Sequence, residues 1–324
     1  MINYNFVIMK DIPDLANEHS TTDTIADNTD LPPSPPAEDD FLTPFHTRGY
    51  FGAYPTSQDL CTLERLQFDY IVKLTLEPEK NVDPYETTIP IIHLPIKDNS
   101  VPVDWERFSL EIVHLVQLLR DRKRLFIHCK GGHGRSCLVV ACILYYTQTV
   151  LNSRDAIEET IRIHNQRTNM SVRWKGIKSP FSKTQYIFLY KFLNPICILK
   201  SYNTGYQAGF SGSSLFQIEH ELGSFSNVDA AYQAARSQPC FTNPFDEMLK
   251  LIWIKFRTYP ELQENLLHTG IRRIYDHSRY AFGDNLIGRC LMEIRHVLML
   301  EQLIQLNETA QNTPLDDGLN SSCE

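Results

Sequence analysis

Residues 125–137, Leu-Phe-Ile-His-Cys-Lys-Gly-Gly-His-Gly-Arg-Ser-Cys, constrain this chain more than any other stretch. An apolar run, Leu125 to Ile127, ends in His128-Cys129. A glycine-rich loop follows, and Arg135-Ser136 open an apolar stretch of helical length, Leu138 to Tyr146. Strand, tight loop and helix N-terminus together turn successive backbone N–H groups toward one anion. A thiol at the start of such a loop sits in positive potential, and comparable settings bring thiols to roughly 3.5–7.5. An arginine a few residues on can return to the same anion with a bidentate fork. A nucleophile, an anion cradle and a guanidinium clamp therefore share one loop. That set suits attack of sulfur on a phosphoryl group.

The rest of the chain is consistent with a folded setting for this loop. With 324 residues there is room for two ordinary cores. No apolar run approaches the ~20 residues that span a bilayer, and the N-terminus lacks a basic-then-apolar leader. The eight cysteines are scattered without a CxxC pair, which points to a reducing, cytoplasmic compartment, where a thiolate survives. A net charge of −8 argues against broad nucleic-acid binding, with an RNA 5′-phosphate left as a conceivable local substrate.

Residues 1–45 are expected to form a disordered arm. Positions 11–45 are rich in Asp, Ser, Thr and Pro and cannot bury enough surface to offset their ordering entropy. The Pro-rich run at 31–40 reads as a linker, with an SH3-like partner as the alternative. From about Thr47 strands alternate with helices. Tyr70–Leu76, Pro90–Ile96 and Leu125–His128 read as strands. Val103–Arg120 reads as a helix, with Trp105, Phe108, Ile112, Leu115 and Leu119 on one face. Further helices are expected over 136–149, 154–166 and 183–193. The fold class is α/β over 46–195, a parallel-rich central sheet flanked by helices, with its site at the strands' carboxyl ends. A second, mainly α-helical domain is expected over 196–307. Its helices lie at Ser226–Arg236, from Asn243-Pro244 to Phe256, at Glu261–His268 and over Asn285–Leu303, and 308–324 form a frayed tail.

Hydrolysis through a thiolate needs a nucleophile, a charge clamp, a leaving-group acid and a water activator. Cys129 and Arg135 supply the first two. His128 is expected to hold the thiolate by local hydrogen bonding, and Ser136 to donate its hydroxyl to Cys129. Gly131, Gly132 and Gly134 permit the turns and leave room for oxygens. The acid should be a carboxylate on a loop facing the pocket, and Asp98 follows a strand in the right way. Asp104 competes, but capping of the Trp105 helix explains it. Lys130 and His133 can add positive charge for a multiply charged substrate. This chemistry needs no metal and no cofactor.

These residues also resemble a family. His-Cys-Lys-Gly-Gly-His-Gly-Arg-Ser is similar to the HCxxGxxR[ST] loop of protein tyrosine and dual-specificity phosphatases. Leu-Pro-Ile-Lys-Asp at 94–98 resembles that family's acid loop, and Phe51-Gly-Ala-Tyr-Pro55 its opening strand. Lys178–Gln185 is similar to a glutamine-bearing loop of some members, which makes Gln185 a candidate for positioning the hydrolytic water. Cys137 departs from the family, where glycine is common, and puts a second thiol near Cys129. The resemblance covers about 47–194. It implies phosphomonoester hydrolysis through a phosphocysteine, with a phosphorylated protein or a small phosphorylated metabolite as partner. A phosphate-reading module without turnover is the alternative.

Residues 209–297 resemble the NADAR (YbiA-like) family through Val228–Arg236, Lys255-Phe256, Leu266–Gly270 and Asn285–Arg295. That resemblance implies a helical domain that hydrolyses an N-glycosidic bond in nucleotide or ADP-ribose-type compounds. Asp229 and Asp276 stand where that family usually has Glu, and Tyr280–Gly283 replaces a Trp-Gly stretch. Asp229 also reads as a capping carboxylate behind Ser226, and Asp276 as a surface residue.

Overall fold

The computed structural model describes residues 40–168, 170, 174, 177, 179–198, 209–276 and 285–312. All fall in one compact unit, Asp39–Glu324. Of the arm expected over 1–45, residues 1–39 lie outside the described residues, as do the start of the second half near Tyr202, the Tyr280–Gly283 stretch and the tail beyond 312. The arm's last residues are not disordered, because Thr43–His46 form a strand and Leu42 and Phe45 are buried.

Five strands form the central sheet: β1 (Thr43–His46), β2 (Gly49–Gly52), β3 (Tyr70–Lys73), β4 (Ile91–His93) and β5 (Leu125–His128). Their order is β1-β2-β5-β3-β4, with β5 in the middle. The β2, β5, β3 and β4 neighbours are parallel, and β1 is antiparallel to β2. The sheet is therefore mixed. The strands carry apolar residues at nearly every position because both faces are covered. Leu125 and Ile127 join one core cluster and Phe126 the other; Val72 and Phe51 face the first, Ile71 and Tyr50 the second. Each such side chain contributes about 1.5–3 kcal/mol on leaving water.

The second cluster is closed by α1 (Ser57–Arg65) through Leu60 and Leu63. The first is closed by α2 (Trp105–Arg120) and α3 (Gly134–Tyr146), joined by α4 (Ser153–Asn165) and α5 (Lys183–Phe192). Asp104 caps α2, accepting from the Arg107 N–H at 2.8 Å. Strands β3 and β4 stop short of the expected Leu76 and Ile96. Ladder-like bonds persist beyond them, from Leu74 N–H to the His128 carbonyl and from Ile96 N–H to the Leu74 carbonyl. The acid-loop region therefore leaves the sheet beside the end of β5.

Beyond residue 195 come β6 (Ile196–Ile198), a hairpin of β7 (Ile218–His220) and β8 (Gly223–Phe225), α6 (Val228–Arg236), α7 (Pro244–Thr258), α8 (Pro260–Leu267), β9 (Ile274–Asp276) and α9 (Leu286–Asn312). Strands β6 and β9 pair in parallel. These elements pack directly on the first half: Ile271, Met299 and Leu303 belong to the same core cluster as α2 and α3. Arg273 is buried and grips the C-terminal end of α3, donating to the carbonyls of Tyr145, Val150 and Leu151. A cation at a helix C-terminus complements the exposed carbonyls and the macrodipole. Asn227, not Ser226, caps α6, accepting from the Ala230 N–H at 2.9 Å. Asn and Ser are equivalent caps, and Asn227 lies one residue closer to the helix. Asp229 is thus an acid in the first turn rather than the partner of a Ser226 cap.

Candidate active site

Strand β5 delivers Cys129 from the middle of the sheet, and α3 leaves from the same loop. The helix begins at Gly134, two residues before the expected Ser136. No side chain caps its N-terminus, so the first N–H groups remain available to an anion. Cys129 is only 3% exposed. At Gly132 the chain takes φ of +66°, and a Cβ there would fall 2.4 Å from the Gly52 carbonyl carbon. Only glycine lets the loop turn this close to β2.

Arg135 folds back against this loop, almost fully buried. Its Nη1 donates to Glu79 Oε2 at 2.7 Å and to the Ile96 carbonyl at 3.1 Å. Its Nη2 donates to Glu79 Oε1 at 2.8 Å and lies 3.1 Å from Asp98 Oδ1. Nε is buried and takes no hydrogen bond among the described residues. Burial opposes the guanidinium charge, but Glu79, Cys129 and Asp98 hold its pKa above the ordinary value. The bond from Arg135 in turn holds the Glu79 carboxyl below the usual range, against its own partial burial. Glu79 thus grips the guanidinium end-on and leaves its Nε edge for an oxyanion. Sequence reasoning missed Glu79, because Glu77-Pro-Glu-Lys80 reads as a polar turn. Exchanging Glu79→Gln should lower kcat/KM by about 10-fold through misorientation of Arg135. A gain in steady-state activity would instead mean that Glu79 blocks the phosphate's place.

Asp98 sits on the rim with its side chain 56% exposed, the position an acid needs to reach a leaving group. Gln185 is buried at the start of α5. Its Oε1 accepts from the Ser182 N–H at 3.1 Å and its Nε2 donates to the Ser100 carbonyl at 3.1 Å. The amide also touches the loop: a Cβ on Gly134 would fall 2.6 Å from its Oε1.

Three expectations change. His128 does not hold the thiolate with its ring. Its Nδ1 lies 3.3 Å from the Cys129 carbonyl and its Nε2 2.8 Å from the Tyr85 hydroxyl. A carbonyl only accepts, so Nδ1 carries the proton and Nε2 accepts from Tyr85. Burial pushes this histidine down to about 3, so it is neutral and fixes backbone rather than charge. His133 adds no positive charge either. It is buried, stacks on Trp174 at 3.8 Å and meets His164 Nε2 at 2.8 Å. Burial, with Arg167 and His164 nearby, pushes it down to about 3. Lys130 stays near the rim, its Nζ donating to the Lys80 carbonyl at 2.7 Å. Finally, Ser136 Oγ is buried and has no hydrogen bond among the described residues, so the expected bond to Cys129 is not formed here. Cys137 is fully buried and its thiol is pushed up by that burial.

Of the second-half carboxylates, Asp229 packs on Gly212, where a Cβ would meet its Oδ1 at 2.1 Å, and its charge reaches Lys255. Asp276 ends β9, its N–H bonded to Asn285 Oδ1 at 2.7 Å. Among the described residues there is no His/Cys/Asp/Glu cluster fit to hold a metal ion. No described helix is long and apolar enough to cross a membrane.

Comparison with known proteins agrees with this geometry. Residues 49–177 match the family described as dual specificity phosphatase, catalytic domain. "Putative tyrosine phosphatase 067L" of Invertebrate iridescent virus 3 is 32% identical over 265 residues, covering 80% of this chain and 94% of the relative. The chain belongs to the tyrosine and dual-specificity phosphatase family. It is a cysteine-dependent protein phosphatase. "Putative tyrosine phosphatase 197R" of Invertebrate iridescent virus 6 is 28% identical over 255 residues, covering 77% of this chain and 88% of the relative. Among solved structures, Tk-PTP in its active form is 26% identical with a TM-score of 0.37, covering 47% of this chain and 95% of its own.

Proposed function

We propose that the loop hydrolyses phosphomonoesters on protein side chains in two steps, with roles for individual residues as follows. The Cys129 thiolate attacks phosphorus while Asp98 protonates the departing oxygen. The S–P bond forms as the P–O bond breaks. Water then attacks the phosphocysteine, Asp98 takes its proton, and the Cys129 thiolate and inorganic phosphate leave. Arg135 Nε and the loop amides hold the phosphoryl oxygens, whose charge grows in the transition state. Ser136 Oγ, without a partner of its own, can donate to the departing sulfur. Gln185, against Gly134, orients the water if its capping bonds yield. The observation that carries this reading is the convergence of Cys129, the uncapped start of α3 and the Nε edge of Arg135. With His133 neutral and Cys129 nearly buried, the site favours a phosphate carried on a protruding side chain over a compact, multiply charged metabolite.

The leaving-group acid is tested with aryl phosphates of graded leaving ability. Asp98→Ala should slow the poorest leaving group by about 10²-fold or more and the best far less. An equal loss on all would remove Asp98 from the role.

A second reading concerns residues 196–307 as a separate NADAR-like domain acting on nucleotide or ADP-ribose-type compounds. What favours it is Asp229 beside Lys255. Lys255 is 1% exposed, and burial draws it down to about 7 against the pull of Asp229. A panel of phosphotyrosyl peptide, phosphoinositide, RNA 5′-phosphate and ADP-ribose derivatives separates the readings. Release of free base abolished by Asp229→Asn would support the glycosidase; its absence on every member would retire it.

A further inference from the structure

The phosphate loop is held from behind by the end of α4, through residues that take no part in the chemistry above. Arg167 follows that helix and is 8% exposed. Its Nη1 donates to the Gly132 carbonyl at 2.5 Å, its guanidinium lies 5.7 Å from the Phe51 ring centroid, and its Nε takes no hydrogen bond among the described residues. It forms no ion pair with a carboxylate among the described residues. Its charge instead reaches the thiols Cys137 and Cys129. Burying a guanidinium costs several kcal/mol unless something compensates it. A surface task would not require that cost, so the position calls for an explanation.

The Gly132 peptide supplies one. Gly132 takes a positive φ and presses on Gly52, so its orientation is not set by local preference alone. The peptide linking Gly132 to His133 points its carbonyl to one side and the His133 N–H to the other. With the carbonyl inward, a full oxygen dipole would oppose the phosphoryl oxygens; with it outward, an N–H faces them. His164, also from the end of α4, fixes the next residue through His133 Nδ1.

We propose that Arg167 is a positioning residue for phosphate binding: by holding the Gly132 carbonyl outward it keeps the cradle's N–H groups turned toward the bound oxyanion. This rests on the phosphatase reading of the loop. It extends that reading to a residue which contacts neither substrate nor nucleophile by hydrogen bond.

The test compares Arg167→Met and Arg167→Lys with the unaltered full chain. Three quantities are read: kcat/KM on p-nitrophenyl phosphate, the inhibition constant of orthovanadate, and the thermal midpoint. Arg167→Met should lower kcat/KM by ~10-fold or more and weaken vanadate by a similar factor, since a misturned amide affects any oxyanion in the cradle. Arg167→Lys, which restores a donor and a charge, should recover a substantial part of both. A purely structural role would lower the midpoint and leave vanadate inhibition and kcat/KM of the folded protein within twofold of the unaltered chain. That result overturns the proposal. If Arg167→Met does not fold, Arg167→Gln, which keeps a polar side chain of shorter reach without the charge, takes its place under the same criteria: vanadate inhibition weakened by severalfold supports the proposal, and parity overturns it. An unaltered chain that neither turns over nor binds vanadate would instead remove the phosphatase reading itself.

Discussion

Replacing Cys129 by serine is expected to abolish turnover of p-nitrophenyl phosphate, a fall of at least ~10⁴-fold in kcat. The change removes one thing only. Serine fits the same space at the end of β5, and the glycine turns, α3 and Arg135 stay in place. A serine hydroxyl is a far weaker nucleophile toward phosphorus than a cysteine sulfur held in the same place. Phosphate and vanadate should therefore still bind the Cys129→Ser protein while catalysis is lost. Steady-state assay together with a titration of phosphate measures both. Loss of binding along with turnover would mean that the substitution disturbed the cradle. Persistent turnover would mean that another group attacks phosphorus.

The second large effect concerns Arg135. Arg135→Lys keeps the charge and removes the fork, and should lower kcat/KM by about 10³-fold. The magnitude follows from the geometry. Both Nη atoms are engaged by Glu79, with Ile96 and Asp98 as further neighbours. That leaves Nε as the donor free for the anion. Lysine gathers its three donors on one nitrogen, so it cannot present both the two-pronged grip on Glu79 and the separate Nε edge toward the phosphate. A loss within 10-fold would show that charge alone suffices and that the bidentate geometry has no catalytic weight. Comparison with Glu79→Gln separates the two contributions, because that variant frees the fork but leaves the guanidinium without its anchor.

The parts of this site that a sequence can show are those packed into consecutive residues. Strand, cysteine, glycines, arginine and helix lie within 125–146, and each has a local physical signature. The order of the remaining elements is equally readable, since α2 and β5 declare themselves by period and by apolar content. What could not be read came from far along the chain. Glu79 meets Arg135 across 56 positions, and Arg167 meets Gly132 across 35; no spacing rule links such residues. The neutrality of His133 depends on Trp174 and His164 closing over it, which is a property of packing and not of the loop. Helix α9 runs to Asn312 rather than the expected Leu303. Its apolar pattern fades there, but the following residues include the good helix formers Glu308, Ala310 and Gln311, and no proline appears before Pro314. The packing of Ile271, Met299 and Leu303 into the first core was hidden for the same reason: an amphipathic face does not name its partner.

The central claim is that phosphate passes through sulfur at position 129, and trapping the intermediate tests it most directly. The full-length protein is mixed with excess p-nitrophenyl phosphate, quenched in acid within a turnover, digested and examined by mass spectrometry. A phosphoryl group on the peptide containing Cys129, absent from the Cys129→Ser protein, is the predicted result. An active enzyme that carries its label on another residue, or yields none under conditions of burst kinetics, would contradict it.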